Sequence, residues 1–306
     1  MNVEQIAPRH ERKPLLIAAA WLGMLAVSDL PDIILNRLGG EVPSWMLWAK
    51  VGFLALFLGL TLLWKALRRL WPYALALFVL FMALELTSLF RATAWFQGHF
   101  NYKGVSFSLG FLALSALDIL VALAVIAALW LMKRDRKAFF LVKGQLDAPI
   151  EPVRWLGIKK GNSWKAFGFI FAAAAGLGVC IPTILGIAPT ADMLKKALPL
   201  LPVVLLLAAI NAFTEEVYFR ANILSTLYQV IGRTQALLIT IVFFGLAHYL
   251  YGSPPGIIGA SMVGFLAFLL GKSMLETRGL LWPWFIHFVP DVVIFASYAL
   301  LFVKTQ

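Results

Sequence analysis

The residues of this chain best suited to chemistry are Glu215, Glu216, Arg220, His248, His287 and Asp291. Glu215 and Glu216 close an apolar run that opens near Leu198 and holds no charge before them. An acidic side chain near the centre of a membrane helix costs about 2.5–3.5 kcal/mol, less toward the interface. Two adjacent ones are hard to explain as packing. Helical spacing gives them different work. Glu216 and Arg220 are four apart, share a face and can pair. Glu215 is rotated about 100° from Glu216 and is left to face a cavity. His248 and His287 also fall in late apolar runs, with Phe244 one turn before the first and Asp291 one turn after the second. Glu215 with His248 could hold and deprotonate a water. His287 and Asp291 could bind a scissile carbonyl oxygen as charge develops on it, Asp291 donating if kept protonated. That chemistry is hydrolysis of a peptide bond.

The elements that must position these groups are membrane helices. Of the 306 residues, 61% are apolar and 13% charged. Several uninterrupted apolar runs near the length needed to cross about 30 Å of hydrocarbon define an all-α polytopic transmembrane helical bundle. Expected spans are 15–35, 45–64, 73–92, 107–132, 166–189, 198–220, 234–252, 257–275 and 280–303, or eight spans if one is re-entrant or two form a broken helix. Pro290 is expected to kink the last of them. Gly232 supplies a turn, with Glu215 17 residues before it and His248 16 after. Both then stand about 25 Å from that turn, at one level. His287 and Asp291, beyond a turn near Gly279, stand about 12 and 18 Å in.

The formal charge of +11 would suggest nucleic acid in a soluble protein. Here basic loops on the cytoplasmic side account for it, and no nucleic-acid partner is expected. With the N-terminus inside, the inner segments hold 19 Lys and Arg against 7 outside. The N-terminus is therefore expected in the cytoplasm, and the protein in a plasma membrane, with the first span retained. The chain divides into a four-span region over 1–132, a basic cytoplasmic loop over 133–165 and a catalytic helical core over 166–306. Cys180 is the only cysteine, which excludes an intrachain disulfide and a thiol-rich metal site.

The set Glu215-Glu216-x-x-x-Arg220, Phe244-x-x-x-His248 and His287-x-x-x-Asp291 resembles the motifs of the CAAX-prenyl-protease-like (CPBP, or Abi) intramembrane glutamic endopeptidases, in order and in spacing. The resemblance runs roughly from Val153 to Leu301. It implies that Glu215 activates water with His248, that His287 and Asp291 form the oxyanion hole, and that Glu216, Arg220 and Phe244 support them. Asp291 stands where prenyl-processing members carry Asn. The family works without metal or cofactor, so none is expected. The implied substrate is a membrane-embedded or lipid-associated peptide or protein, met within the lipid bilayer. The implied host is bacterial, since bacterial members are linked to peptide processing, bacteriocin immunity or regulation.

Blander readings stand beside this one. Glu216–Arg220 is also a plain structural ion pair, His248 a hydrogen-bonded core histidine, and His287–Asp291 an orienting pair. Asp29, Asp32, Glu85 and Asp118 read as helix-interface hydrogen-bonding groups or as a proton or ion pathway. Trp45, Trp48, Trp64, Trp71, Trp282 and Trp284 read as an interfacial belt. Rival functions are a Zn²⁺-dependent membrane protease using Glu215, His248 and His287, a transporter using the N-terminal carboxylates, and a non-catalytic immunity or adaptor protein. A serine protease at Gly259-Ala260-Ser261-Met262 lacks the glycine expected after the serine.

Overall fold

The computed structural model describes residues 13–101, 104–132, 134–252 and 254–305. Arg9, Arg12, Lys103 and Lys133, which entered the charge balance, lie outside the described residues. The helices are α1 (Lys13–Val27), α2 (Leu30–Arg37), α3 (Met46–Leu63), α4 (Trp71–Ala92), α5 (Ala94–Phe100), α6 (Phe107–Leu131), α7 (Trp164–Ile187), α8 (Ala191–Ala197), α9 (Leu201–Glu216), α10 (Asn222–Leu227), α11 (Arg233–Ala247), α12 (Ile257–Thr277) and α13 (Leu281–Lys304). The chain is all-α and polytopic. Among the described residues, 7 helices are long and apolar enough to cross a membrane, or up to 8 if α1 and α2 make one bent span.

Two of the nine expected spans account for the difference. The run 15–35 breaks after Val27, and α1 and α2 meet at a 54° bend. Pro31 in the first turn of α2 explains the break, because it has no N–H and disfavours a helical residue before it. The run 234–252 yields only the 15 residues of α11. The last helix, α13, runs unbroken from Leu281 to Lys304 through Pro290.

The chain forms two compact units. Unit 1 comprises Met1–Met82 and Asn222–Phe268, and unit 2 comprises Ala83–Ala221 and Leu269–Gln306. Within unit 1, polar side chains tie apolar helices together. Trp21 Nε1 donates to Gln235 Oε1 at 2.9 Å and the Tyr73 hydroxyl to the Ala20 carbonyl at 3.2 Å. Lys50 Nζ lies 2.5 Å from Asp32 Oδ2 and 3.9 Å from Asp29 Oδ1. These carboxylates thus have a cationic partner, which offsets part of the cost of burying Asp32.

Unit 2 is built on α13, which packs against α7 and α9. The buried face of α7 is Trp164, Gly168, Ala172 and Gly176, a small-residue stripe that lets another helix approach closely. A Cβ on Gly176 would meet Val289 Cγ1 at 2.8 Å, and one on Gly168 would collide with the Trp282 indole. Trp282 is therefore buried, its Nε1 donating to the Leu146 carbonyl at 2.8 Å. Trp284 is likewise engaged, donating to the Ala209 carbonyl at 3.0 Å. Neither is a free belt residue, unlike Trp45, Trp48 and Trp64, which are exposed. On the other side of α9, Phe107 of α6 joins Val204, Leu207 and Ala299 in one apolar cluster.

The segment between α6 and α7 is folded onto the turn between α12 and α13. Gln145 N donates to the Thr277 carbonyl and Leu280 N to the Val142 carbonyl, each at 2.8 Å. Trp164 Nε1 donates to Glu276 Oε2 at 2.8 Å. Gly144, at φ +80°, has the Thr277 carbonyl where a Cβ would stand, at 2.7 Å. Glycine is needed there for both conformation and space.

Candidate active site

The acidic pair ends α9, and the next five residues, Val217–Ala221, form a π-helical turn. Such turns widen the helix and recur at functional sites. Across this irregularity the ion pair forms, with Arg220 Nη1 3.2 Å from Glu216 Oε1 and both side chains 0% exposed. The same carboxylate oxygen accepts from His287 Nδ1 at 2.9 Å. Glu216 thus serves two cationic or donor partners, one from its own strand of chain and one from α13.

Glu215 points elsewhere. Its Oε1 accepts from Asn211 Nδ2 at 3.3 Å, and Asn211 Nδ2 also donates to Asp291 Oδ2 at 3.1 Å. The other oxygens turn to His287, whose Nε2 lies 3.5 Å from Glu215 Oε2 and 3.8 Å from Asp291 Oδ1. Asn211, Glu215, His287 and Asp291 therefore close a ring in which each carboxylate gives one oxygen to the amide and the other to the imidazole. Exposure separates the members. The side chain of Glu215 is 23% exposed, against 0% for Glu216, 6% for His287 and 5% for Asp291. Its Oε2 is buried and makes no hydrogen bond. Nearby, the Tyr218 hydroxyl donates to the Asp118 carbonyl, holding the π turn against α6.

The donor sense fixes the tautomers. A carboxylate with no proton only accepts, so His287 Nδ1 carries a hydrogen and Nε2 is the atom offered to the ring. His248 lies in unit 1, at the C-terminus of α11. Its Nδ1 is 2.9 Å from the Phe244 carbonyl, and its ring meets the Phe244 ring edge-on at 4.6 Å. A carbonyl oxygen only accepts, so Nδ1 is the protonated atom and Nε2 of the neutral ring holds the lone pair. Asn211 is the member that sequence reasoning missed. It stands one turn before Glu215, a polar residue in an apolar run, and that spacing was the available signal. Among the described residues, no group of three or more His, Cys, Asp and Glu side chains is arranged to hold a metal ion.

Residues 197–293 match the Rce1-like family, described as type II CAAX prenyl endopeptidase Rce1-like. The matched stretch holds Glu215, Glu216, Arg220, Phe244, His248, His287 and Asp291, so it contains every motif on which the resemblance rests. This segment is similar to CAAX-type intramembrane proteases, and the similarity is to endopeptidases in an integral, multi-pass membrane setting. No curated protein and no solved structure gives a match.

Proposed function

We propose that this chain is an intramembrane glutamic endopeptidase that hydrolyses a peptide bond of a membrane-embedded or lipid-associated substrate without a metal ion. The observation that carries this reading is the ring of Asn211, Glu215, His287 and Asp291, in which Glu215 is the one titratable side chain that keeps appreciable exposure. A general base needs an available lone pair on a side chain that water can approach; Glu215 Oε2 makes no hydrogen bond, and the side chain is 23% exposed. Glu215 takes a proton from water as the water oxygen bonds to the scissile carbonyl carbon. The carbonyl oxygen gains negative charge and is met by His287 Nε2–H, with Asp291 orienting the imidazole. The C–N bond then breaks, and the proton passes to the leaving amine. With Nδ1–H already given to Glu216, a protonated Nε2 makes His287 an imidazolium, and the carboxylates around it stabilise that charge. The role of His248 as partner to the base rests on its motif and on the Nε2 lone pair.

In this reading residues 166–306 hold the catalytic machinery, residues 1–132 are an N-terminal four-span region and residues 133–165 are the connector between them. The charge asymmetry supports a cytoplasmic N-terminus and connector, and the family resemblance supports a bacterial plasma membrane.

The test compares the termini of membrane proteins in cells carrying wild-type protein or Glu215→Gln. Termini found only with wild type are the expected result; identical sets of termini would refute the reading. Loss of hydrolysis in a strong chelator, restored by Zn²⁺, would instead move the assignment to a metalloprotease.

A further inference from the structure

Asn211 lies outside the three motifs, yet it touches both ionisable groups on which the proposed chemistry depends. Its side-chain nitrogen donates to Glu215 Oε1 at 3.3 Å and to Asp291 Oδ2 at 3.1 Å. An amide NH₂ has two hydrogens and no more, so each carboxylate receives one. The reverse orientation would set the amide oxygen against two acceptors and is excluded by the chemistry of the pair. Glu215 sits on α9 and Asp291 on α13; Asn211, on α9 one turn before Glu215, is the link between them.

We propose that Asn211 is a positioning residue that clamps Glu215 and Asp291 by one oxygen each, so that their remaining oxygens face His287 Nε2. This rests on the reading of Glu215 as the base. Two carboxylates in a water-poor site repel each other. An N–H donated to each favours the ionised form, which a base requires before it can accept a proton. The clamp also fixes where the second oxygen stands, and a misplacement near 1 Å costs about 100-fold in rate. Other charged and titratable groups around the pair are Glu216 and Arg220 from the acidic motif, Tyr218 from the π turn, Asp118 from α6, and His287 and Tyr298 from α13. Of these, His287 also faces both carboxylates, at 3.5 and 3.8 Å; Asn211 lies closer to each, at 3.3 and 3.1 Å.

The test uses the full chain in lipid nanodiscs and two readouts. The first is hydrolysis of an internally quenched farnesylated CAAX peptide as a function of pH. For Asn211→Ala we expect kcat to fall 10- to 100-fold with KM within twofold, and the acid limb of the profile to move to higher pH, because the ionised carboxylates have lost their donor. Asn211→Ser, whose hydroxyl has one hydrogen and can serve only one carboxylate, should fall between the two. The second readout is infrared titration of the buried carboxyl groups, with bands assigned by Glu215→Gln and Asp291→Asn. In Asn211→Ala the protonated band should persist to higher pH than in wild type. Thermal melts identify any variant that fails to fold, and Asn211→Ser then replaces Asn211→Ala. An unchanged infrared titration in a folded variant overturns the proposal whether or not the peptide is cleaved. An unchanged titration curve and an unchanged pH profile together would leave Asn211 as packing only. If wild type leaves this peptide intact while the infrared shift occurs, the clamp stands and a farnesylated substrate is excluded, the peptidase reading being decided by the comparison of termini.

Discussion

His287 Nδ1 lies 2.9 Å from Glu216 Oε1, and that same oxygen stands 3.2 Å from Arg220 Nη1. A single carboxylate oxygen therefore anchors both the guanidinium on its own segment and the imidazole on α13. Glu216 has no exposed side-chain surface, so removing it strands a buried charge and an oriented ring at once. Glu216→Ala is expected to destabilise the protein by about 3–5 kcal/mol, the usual cost of breaking a buried pair. Glu216→Gln keeps an acceptor for His287 but not the charge for Arg220, and should cost less. Denaturation in detergent, followed by tryptophan fluorescence, measures both. Equal stability of wild type and Glu216→Ala would remove the anchor from the account.

His248 has its Nδ1–H committed to the Phe244 carbonyl. The remaining nitrogen can act as a base without any rearrangement of the ring. His248→Ala should lower hydrolysis by about 100- to 10,000-fold, the range for a lost acid–base group. Added imidazole should restore part of the rate, because the cavity left by the side chain admits a small base. A His248→Ala enzyme of wild-type rate would show that the histidine is a core residue held by its carbonyl bond.

The glycines of α7 divide sharply. A Cβ on Gly168 collides with the Trp282 indole, whereas one on Gly178 meets nothing within 4 Å. Gly168→Ala should cost about 1–3 kcal/mol by overpacking, and Gly178→Ala should be neutral or slightly stabilising. The comparison of their melting temperatures checks the α7–α13 contact independently of activity. Equal melts for the two variants would contradict it.

Much of this was legible in the sequence, and the parts that were not share a cause. Apolar length marks the long helices because hydrocarbon thickness is fixed. The motif residues stand out because charge in an apolar run is costly. The break between α1 and α2 needed Pro31 to be weighed above the hydropathy of the run around it. The π turn at Val217–Ala221 has no local signature; helix register there depends on what Tyr218 and Arg220 meet in three dimensions. Trp282 reads as an interfacial residue until Gly168 is found opposite it. Asn211 was visible one turn before Glu215, but its second partner, Asp291, lies 80 residues away. Nothing in local spacing foretells a bond of that range.

The docking of the connector onto the α12–α13 turn has a parity consequence. Trp164 opens α7 and Glu276 stands near the end of α12, and the two are hydrogen bonded. A chain that leaves one face of a bilayer and returns to it makes an even number of crossings. Three stretches between these residues are long and apolar enough to cross, namely Trp164–Ile187, Ala191–Leu227 and Ile257–Thr277. Three is odd. The shorter apolar helix Arg233–Ala247 is the one left to complete the count, and at about 22 Å it falls short of a bilayer core of about 30 Å. A helix this short is accommodated by local thinning of the bilayer, by its flanking residues or by association with other helices. Single cysteines at Gln229 and Tyr251, in a Cys180→Ala background, should react with impermeant reagents from opposite sides; labelling from the same side would break the parity.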